Sequence, residues 1–314
     1  MKMVNKVYIT FSMVVAILMI FTIIYNVQIN SEVSVVNEEI KINNLPEEFE
    51  GFKILVLTDL HNKSFGKEQE DLLKVVNSLD YDMIAICGDM MNRQEEDYSA
   101  FLDLLEGIKN KDEIYYTPGN HGPFVYEGDV GFNSIIKGNE GKQNGYSLDG
   151  NKALTEAGEF LKQYGVKFLD EVHEIKRGNS SLWISELWYK DELDKLTNNK
   201  INEDDINIAI THYPMSKGVY EGSFGKRLSQ YDLVLAGHYH GGQWQIPAIG
   251  ALFIPDLNES GFLPSQERVS GLTTWGGINQ YVSKGLGAGG PIELLRFRLF
   301  NRPEMNLITL VKSN

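Results

Sequence analysis

Short, continuously apolar runs recur along most of this 314-residue chain, and they constrain its fold more than any other feature. The runs at 53–58, 83–87 and 114–117 are typical of strands that are buried on both faces of a sheet. The segments between them, 70–79 and 99–108, carry apolar residues at helical spacing. The order strand, helix, strand, helix, strand predicts an α/β sheet with crossover connections.

The rest of the chain continues the pattern less regularly. A helix is predicted at about 153–164. Two irregular stretches, 122–150 and 255–277, are predicted to be loops, and loops of that length are usually functional or disordered. Further strands are predicted at 166–169, 182–187, 206–211, 233–236, 294–299 and 305–311.

The first 31 residues differ in composition from everything that follows. They contain no Asp or Glu, and no charged residue lies between 7 and 29. About 20 apolar residues span a membrane, whereas the apolar core of a signal peptide has roughly 7–15 and precedes a small-x-small cleavage site. No such site follows here. We therefore expect a cytoplasmic N-terminus at 1–6, a transmembrane signal anchor at 7–29, a tether with an early strand at 30–50 and an extracytoplasmic domain at 51–314. A cleaved signal peptide is the alternative.

The orientation follows from charge, because Lys2 and Lys6 favour a cytoplasmic N-terminus. Beyond this segment 27 basic residues stand against 43 acidic ones, a net charge of −16. Such an acidic domain is a poor partner for nucleic acid, which needs a basic face. The single cysteine, Cys87, excludes an intrachain disulfide and is expected to be a buried apolar residue.

Five of the six histidines lie in short polar clusters that directly follow predicted strands. The clusters are at 58–61, 88–92, 119–121, 211–212 and 237–243. Ligands of open α/β sheets bind at the carboxyl ends of strands, where these clusters lie. Within the first and last clusters, the pairs Asp59/His61 and His238/His240 are two residues apart and can therefore point to the same side of an extended chain.

The residue types in these clusters indicate metal binding. Carboxylate, amide and imidazole donors suit Mn, Fe or Zn rather than a soft thiolate site. One ion seldom takes more than six ligands, so seven candidates predict two divalent ions that share a ligand. A carboxylate has two oxygens, which makes Asp89 the natural shared ligand. The candidate ligands are Asp59, His61, Asp89, Asn120, His212, His238 and His240.

The order of these motifs resembles that of the calcineurin-like metallophosphoesterase family over roughly 51–311. The motifs are Asp-x-His, Gly-Asp-x-x-Asn, Gly-Asn-His, a lone His and Gly-His-x-His. The segments 241–243, 281–287 and 302–304 resemble the membrane-anchored bacterial phosphodiesterase branch of that family. The resemblance implies an α/β fold of two packed mixed β-sheets flanked by helices, a four-layer sandwich, with a dinuclear metal site at one edge.

The resemblance also implies individual roles. Asp59, His61, Asp89 and His240 would hold the first metal ion, and Asp89, Asn120, His212 and His238 the second. His121 matches the histidine that binds no metal and protonates the leaving oxygen or stabilises the transition state. The family usually has an acidic residue directly after this histidine. This chain has Gly122 there, which bears on the efficiency of His121 as an acid and not on metal binding.

The implied function is hydrolysis of a phosphodiester or phosphomonoester through a dinuclear centre and a metal-bridging hydroxide, at the outer face of a bacterial membrane. The expected substrate is a phosphorylated small molecule or a lipid headgroup. The alternative is a catalytically weak, metal-binding envelope receptor or scaffold with the same fold. Arg93 stays open between a phosphate contact and a solvated surface side chain.

Overall fold

Within the residues that it describes, the computed structural model contains two six-stranded β-sheets and one long N-terminal helix. Those residues are 2–92, 97–128, 152–187, 205–222, 228–255, 261–290 and 292–313, with side chains from residue 8 onward. Arg93 and the predicted loop beyond residue 128 therefore lie outside the described residues.

Strands and helices alternate in the first half of the described chain, and strands predominate in the second. The strands are β1 (Ser34–Ile42), β2 (Lys53–Leu57), β3 (Met83–Ile86), β4 (Ile114–Tyr116), β5 (Val166–Phe168), β6 (His173–Arg177), β7 (Ser180–Glu186), β8 (Ile206–Ile210), β9 (Leu233–Ala236), β10 (Gln245–Ile246), β11 (Gly250–Ala251), β12 (Gly271–Trp275), β13 (Ile278–Val282) and β14 (Glu304–Lys312). The helices are α1 (Lys2–Ser31), α2 (Glu70–Val76), α3 (Ser99–Gly107), α4 (Glu156–Gln163), α5 (Lys217–Glu221) and α6 (Gln266–Val269).

The two large sheets are both mixed. In the first sheet β14 and β2 form the antiparallel pair and β1 is parallel to β14, whereas in the second sheet the antiparallel pairs lie at the two edges. The first has the order β1-β14-β2-β3-β4-β5, in which β2 to β5 are parallel neighbours. The second has the order β12-β13-β9-β8-β7-β6, in which β13, β9, β8 and β7 are parallel. Parallel strands end at the same edge of their sheet, so the clusters that follow β2, β3 and β4 are brought together, as are those after β8 and β9.

The main core lies between the two sheets. Apolar side chains of the first sheet such as Ile54 and Ile86 belong to one buried cluster with Ile208 and Leu235 of the second. Helices α2 and α3 cover the first sheet through Leu72 and Phe101 among others. The alternate residues of the second sheet, including Val234, belong to a separate cluster with Tyr220 of α5. This arrangement confirms the predicted α/β fold of two packed sheets flanked by helices.

Two sequence predictions were wrong. The strand predicted at 294–299 is absent, and a single 3-10 turn at Glu293–Leu295 stands there, followed by the fully buried Arg298. The stretch 255–277 is not uniformly irregular, because it contains α6 and the edge strand β12. Strand β12 lies at the edge of its sheet and is partly exposed, so it lacks the continuous apolar run that predicts a central strand.

The N-terminal region begins with α1, whose residues Tyr8–Ser31 are long and apolar enough to cross a membrane, alone among the described helices. Its side chains are exposed as far as Tyr25, whereas Asn26 and Ile29 near its end are buried against the rest of the chain. The early strand expected in this region is β1, which pairs in parallel with β14 along its whole length.

Candidate metal centre

The predicted ligands lie in five loops that directly follow β2, β3, β4, β8 and β9. Several of them adopt backbone conformations that are unfavourable for residues with a side chain. A positive φ costs roughly 1–2 kcal/mol in such residues, and this strain is typical of functional sites. The residues concerned are Asp59, His61, Asp89, His238 and His240, with φ between 48° and 73°.

One group of candidate ligands joins both sheets. The ligand atoms of Asp59, His61, Asp89 and His240 all lie within 4.8 Å of one another, and all four residues are buried. Nε2 of His240 lies 3.2 Å from Oδ1 of Asp59, and Nε2 of His61 lies 3.7 Å from Oδ2 of Asp89. Nε2 of His61 and Nε2 of His240 are only 3.1 Å apart.

A second group shares Asp89 with the first. The ligand atoms of Asp89, His212 and His238 also lie within 4.8 Å of one another. Nε2 of His212 lies 3.1 Å from Oδ2 of Asp89 and 3.1 Å from Nδ1 of His238. The side-chain oxygen of Asn120 is 3.1 Å from the same Nε2. The structure thus brings all seven predicted ligands together, with Asp89 between the two groups.

Hydrogen bonds outside the two groups fix the protonation of two of the histidines. The amide of Asn92 donates to the carbonyl of His61 at 2.9 Å, which leaves its oxygen to accept from Nδ1 of His61 at 3.1 Å. Nδ1 of His212 donates to the carbonyl of Cys87 at 2.8 Å. In each ring Nδ1 therefore carries a proton, and Nε2 is the atom that is directed into the centre.

This donor set fits divalent cations. Lone pairs of imidazole nitrogens and carboxylate oxygens face one another at hydrogen-bond distance, an arrangement that is repulsive without positive charge between them. Oδ1 of Asp59 is buried and accepts no hydrogen bond from the described residues. A buried carboxylate oxygen without a donor is costly, and a bound cation would remove that cost.

The pKa shifts follow from the same crowding. Burial alone would raise the pKa of Asp89 and Asp59, but neighbouring histidines, His212 and His240 respectively, hold both below the ordinary value. Burial lowers the pKa of His238 to about 3, aided by repulsion from His212. Burial also lowers the pKa of His61. For His212 the carboxylate of Asp89 outweighs burial and raises the pKa to about 9. Ionised carboxylates among mainly neutral imidazoles are suited to bind metal cations.

His121 lies beside the centre without belonging to either group of ligand atoms found among the described residues. Its backbone N–H donates to Oδ1 of Asp89 at 2.7 Å, and its ring centroid is 4.8 Å from that of His61. Burial lowers its pKa. This position places its imidazole directly beside the candidate ligand His61.

Gly122 has a backbone conformation that explains the missing acidic residue. Its φ is +94°, and a Cβ at this position would lie 2.8 Å from the backbone nitrogen of Phe124. Its carbonyl accepts a hydrogen bond from the backbone N–H of Met90 at 2.9 Å, which ties this turn to the loop after β3. An acidic residue therefore does not fit this backbone.

Sequence reasoning missed two buried residues that hold the loop of His240. The guanidinium of Arg298 donates to the carbonyls of Gly287, His240 and Lys284, the first two at 2.7 Å and 3.2 Å. The amide of Asn301 donates to the carbonyl of His240 at 2.7 Å. The signal was present, because Arg298 interrupts the apolar run that was assigned to a strand.

Comparisons with known proteins identify the relatives of this chain. Residues 52–242 match the family model described as calcineurin-like phosphoesterase. The chain is 27% identical to the uncharacterized metallophosphoesterase Cj0846 of Campylobacter jejuni, over 95% of this chain and 68% of that protein. It is 26% identical to the phosphodiesterase YaeI of Escherichia coli, over 83% of this chain and 82% of the relative. It is 23% identical to the uncharacterized metallophosphoesterase YkuE of Bacillus subtilis, over 88% and 84% respectively.

Proposed function

Since the chain belongs to the calcineurin-like phosphoesterase family and is a phosphoester hydrolase, we propose that its seven strand-end ligands hold two divalent metal ions for this hydrolysis. The observation that carries the proposal is the position of Asp89 in both groups of ligand atoms. A single carboxylate shared by two groups is what a dinuclear centre requires. Two such ions supply an activated water and neutralise the phosphoryl oxygens.

The protein's own contribution is to orient the ligands. Asn92 and the carbonyl of Cys87 hold the rings of His61 and His212 with Nε2 directed inward. The backbone N–H of His238 donates to Oδ2 of Asp59 at 3.1 Å, which leaves Oδ1 of that carboxylate for a cation. Because these contacts exist before substrate binds, the centre needs little rearrangement to act.

The imidazole of His121 is proposed to donate a proton to the leaving oxygen or to stabilise the charge that develops on it. The ring lies against His61, and its backbone is fixed by Asp89. A positioned side chain of this kind typically contributes 10²–10⁴-fold to a rate. Because the backbone at 122 excludes an acidic side chain, His121 would act without the acidic neighbour that the family usually has, and the measured rate decides between an efficient hydrolase and the catalytically weak scaffold.

The test is hydrolysis of bis-p-nitrophenyl phosphate by the full chain in detergent, with Mn²⁺, Fe²⁺ or Zn²⁺ added and the metal content measured on the same sample. Asp89→Ala should abolish turnover and lose bound metal. Asp80→Ala is the matched control, because Asp80 is 92% exposed and pairs only with Lys53 among the described residues. Full activity in Asp89→Ala, or no turnover with any divalent ion, would contradict the proposal.

The proposed location is a single-pass anchor with the hydrolase domain outside the cytoplasm. The span Tyr8–Ser31 supports it, since its apolar window is 0% buried and the lysines precede it. The experiment is protease treatment of intact cells that carry an epitope after residue 313. Digestion of the domain in intact cells, together with retention in membranes after alkaline washing, is the expected outcome. Protection of the epitope until the cells are lysed would place the domain on the other side.

A further inference from the structure

Exposed large apolar side chains outside α1 are concentrated in two short segments. The described residues include eleven of them beyond the N-terminal helix, and nine of the eleven lie in 246–263 and 292–297. Leu294 is the most exposed, at 84%. We call this set the apolar patch; its members are Ile246, Ile249, Phe253, Phe262, Leu263, Ile292, Leu294, Leu295 and Phe297.

Trp244, two residues before the first segment, links the two segments. The indole of Trp244 stacks on Phe297 with the ring centroids 5.3 Å apart, and its Nε1 donates to the carbonyl of Phe297 at 2.9 Å. Phe253 and Phe262 form an antiparallel bridge, so that the segment folds back on itself. A contiguous exposed apolar surface of this kind marks an interaction site.

The apolar patch begins where the membrane-spanning helix ends. The ring of Tyr25 lies 5.9 Å from that of Phe300, and the backbone N–H of Phe300 donates to Oδ1 of Asn26 at 2.6 Å. The amide of Asn30 donates to the carbonyl of Arg298 at 3.0 Å. The four-residue step from Tyr25 to Ile29 covers only about 6 Å along a helix. The segment that carries Leu294 and Phe297 is therefore level with the end of the apolar part of α1.

The same surface continues into the metal centre. Gln243, three residues after His240, donates through its side chain to the carbonyl of Leu295 at 2.9 Å. Gly289 lies so close to His61 that a Cβ there would be 2.6 Å from the imidazole ring. It is only three residues before Ile292. The apolar patch thus lies between the end of α1 and two of the candidate metal ligands.

We propose that the apolar patch is seated in the surface of the membrane that α1 crosses, and that the substrate is a phosphoester of a membrane lipid drawn from that surface. The occupant is lipid rather than a protein, because the patch is continuous with a helix whose exposed side chains already require acyl chains. The inference rests on the proposed function, whose metal centre would face the headgroup while the chains stay in the bilayer.

The first test measures the position of the patch. Cys87, the single cysteine, is buried, so a fluorophore can be attached to Leu294→Cys or, as the matched control, to Leu272→Cys on the edge strand β12. Each full-length protein is placed in nanodiscs of phosphatidylcholine and phosphatidylglycerol. A label at 294 should be quenched by nitroxide-bearing lipid and not by iodide in the water, with the reverse at 272. Quenching by iodide at both positions, or protection from both reagents at 294 as by a protein partner, would overturn the proposal.

The second test measures the choice of substrate with two esters that share one scissile bond. Hexadecyl p-nitrophenyl phosphate is carried in vesicles of the same lipids, and ethyl p-nitrophenyl phosphate is dissolved in the water. The double variant Phe253→Ser/Leu294→Ser should hydrolyse the vesicle-borne ester about tenfold more slowly than the unaltered chain, with the rate on the soluble ester unchanged. Phe160→Ser/Leu272→Ser, which removes exposed apolar residues outside the patch, should leave both rates unchanged.

The two esters also separate failure of this inference from failure of the proposed function. If the unaltered chain cleaves neither ester with any divalent ion, the proposed function is wrong. If it cleaves the soluble ester but shows no preference for the vesicle-borne one, or if the patch variant and the control variant behave alike, the lipid inference is wrong.

Discussion

The metal centre and the apolar patch lie side by side and depart from the usual distribution of residues in opposite directions. In the centre, charged and polar side chains such as Asp59, Asp89 and His212 are buried almost completely. In the patch, leucine and phenylalanine side chains face outward. A buried charge needs a partner and a large exposed apolar surface needs a cover. The chain by itself therefore does not satisfy either region. We propose that metal ions neutralise the buried carboxylates of the centre and that a lipid bilayer covers the apolar patch.

Two buried carboxylates, one outside the metal centre and one inside it, have pKa shifts of opposite sign. Asp232 is largely buried outside the centre, and burial raises its pKa to about 6. Asp89 is buried more deeply, yet the histidines around it hold its pKa well below the ordinary value. The sign of the shift is decided by the neighbours and not by depth, which is why the centre stays anionic and suited to cations.

The largest expected effect comes from breaking the shared ligand. Asp89→Asn keeps the size of the side chain and removes the charge that both groups of ligand atoms use, so hydrolysis of the soluble and the vesicle-borne ester should both fall on the order of 10³-fold. The ratio of the two rates should be the same as in the unaltered chain. A variant of the apolar patch, in contrast, should change that ratio. Steady-state rates with both esters check this. A loss confined to one ester would contradict the shared role, and Asp80→Asn serves as the control.

The next effect concerns the residue that joins the two regions. Arg298 is fully buried, and its guanidinium donates to three backbone carbonyls that include that of His240. Arg298→Met removes all three of these hydrogen bonds, although Asn301 still donates to the carbonyl of His240, and should lower the free energy of unfolding by about 3 kcal/mol. Thermal melting of the metal-free protein in nanodiscs measures it. Arg302→Met, which removes an exposed partner of Glu32, should change stability by less than about 1 kcal/mol. Equal losses in the two variants would show that the buried contacts of Arg298 add nothing.

A smaller effect should appear as a pH dependence of stability away from the centre. The raised pKa of Asp232 means that the folded protein binds its proton more tightly than the unfolded chain does. This contribution is present below about pH 4 and is lost as the pH rises to about 6, at a cost of at most about 3 kcal/mol. Asp232→Asn can keep the hydrogen bond from the backbone of Asn207 and should be more stable than the unaltered chain at pH 7 but not at pH 4. If the difference in melting temperature between the two chains were the same at pH 4 and pH 7, the raised pKa of Asp232 would be contradicted.

The sequence predicted the centre far better than the patch, and the reason is physical. Each ligand lies within four residues of the end of a buried strand, so a local pattern determines where Asp59, Asp89 and His212 meet. The patch is built from two segments that are separated along the chain by residues 264–291, and their exposed apolar residues have no periodicity. The strand predicted at 294–299 belongs to this region and is wrong. Arg298 is buried there by its hydrogen bonds to three backbone carbonyls, and a tertiary contact of this kind has no local sequence pattern.

The smallest expected effect tests how far the centre depends on a residue that binds no metal in the proposed arrangement. Asn92 accepts from Nδ1 of His61 and donates to the carbonyl of the same residue. Asn92→Ala frees the ring to rotate or change tautomer, so metal affinity should fall about tenfold. Both esters should be affected equally, because Asn92 contacts the centre and not the patch.

Asn92→Asp separates the two hydrogen bonds of this side chain. It keeps an acceptor for Nδ1 of His61 and loses the donor to the carbonyl, so affinity should return to within about threefold of the unaltered chain if the tautomer is what matters. Competition with a chelator of known affinity measures both variants. Should the aspartate variant bind metal as weakly as the alanine variant, the donor to the carbonyl is the contact that holds His61, and the orientation of the ring is then set by the backbone.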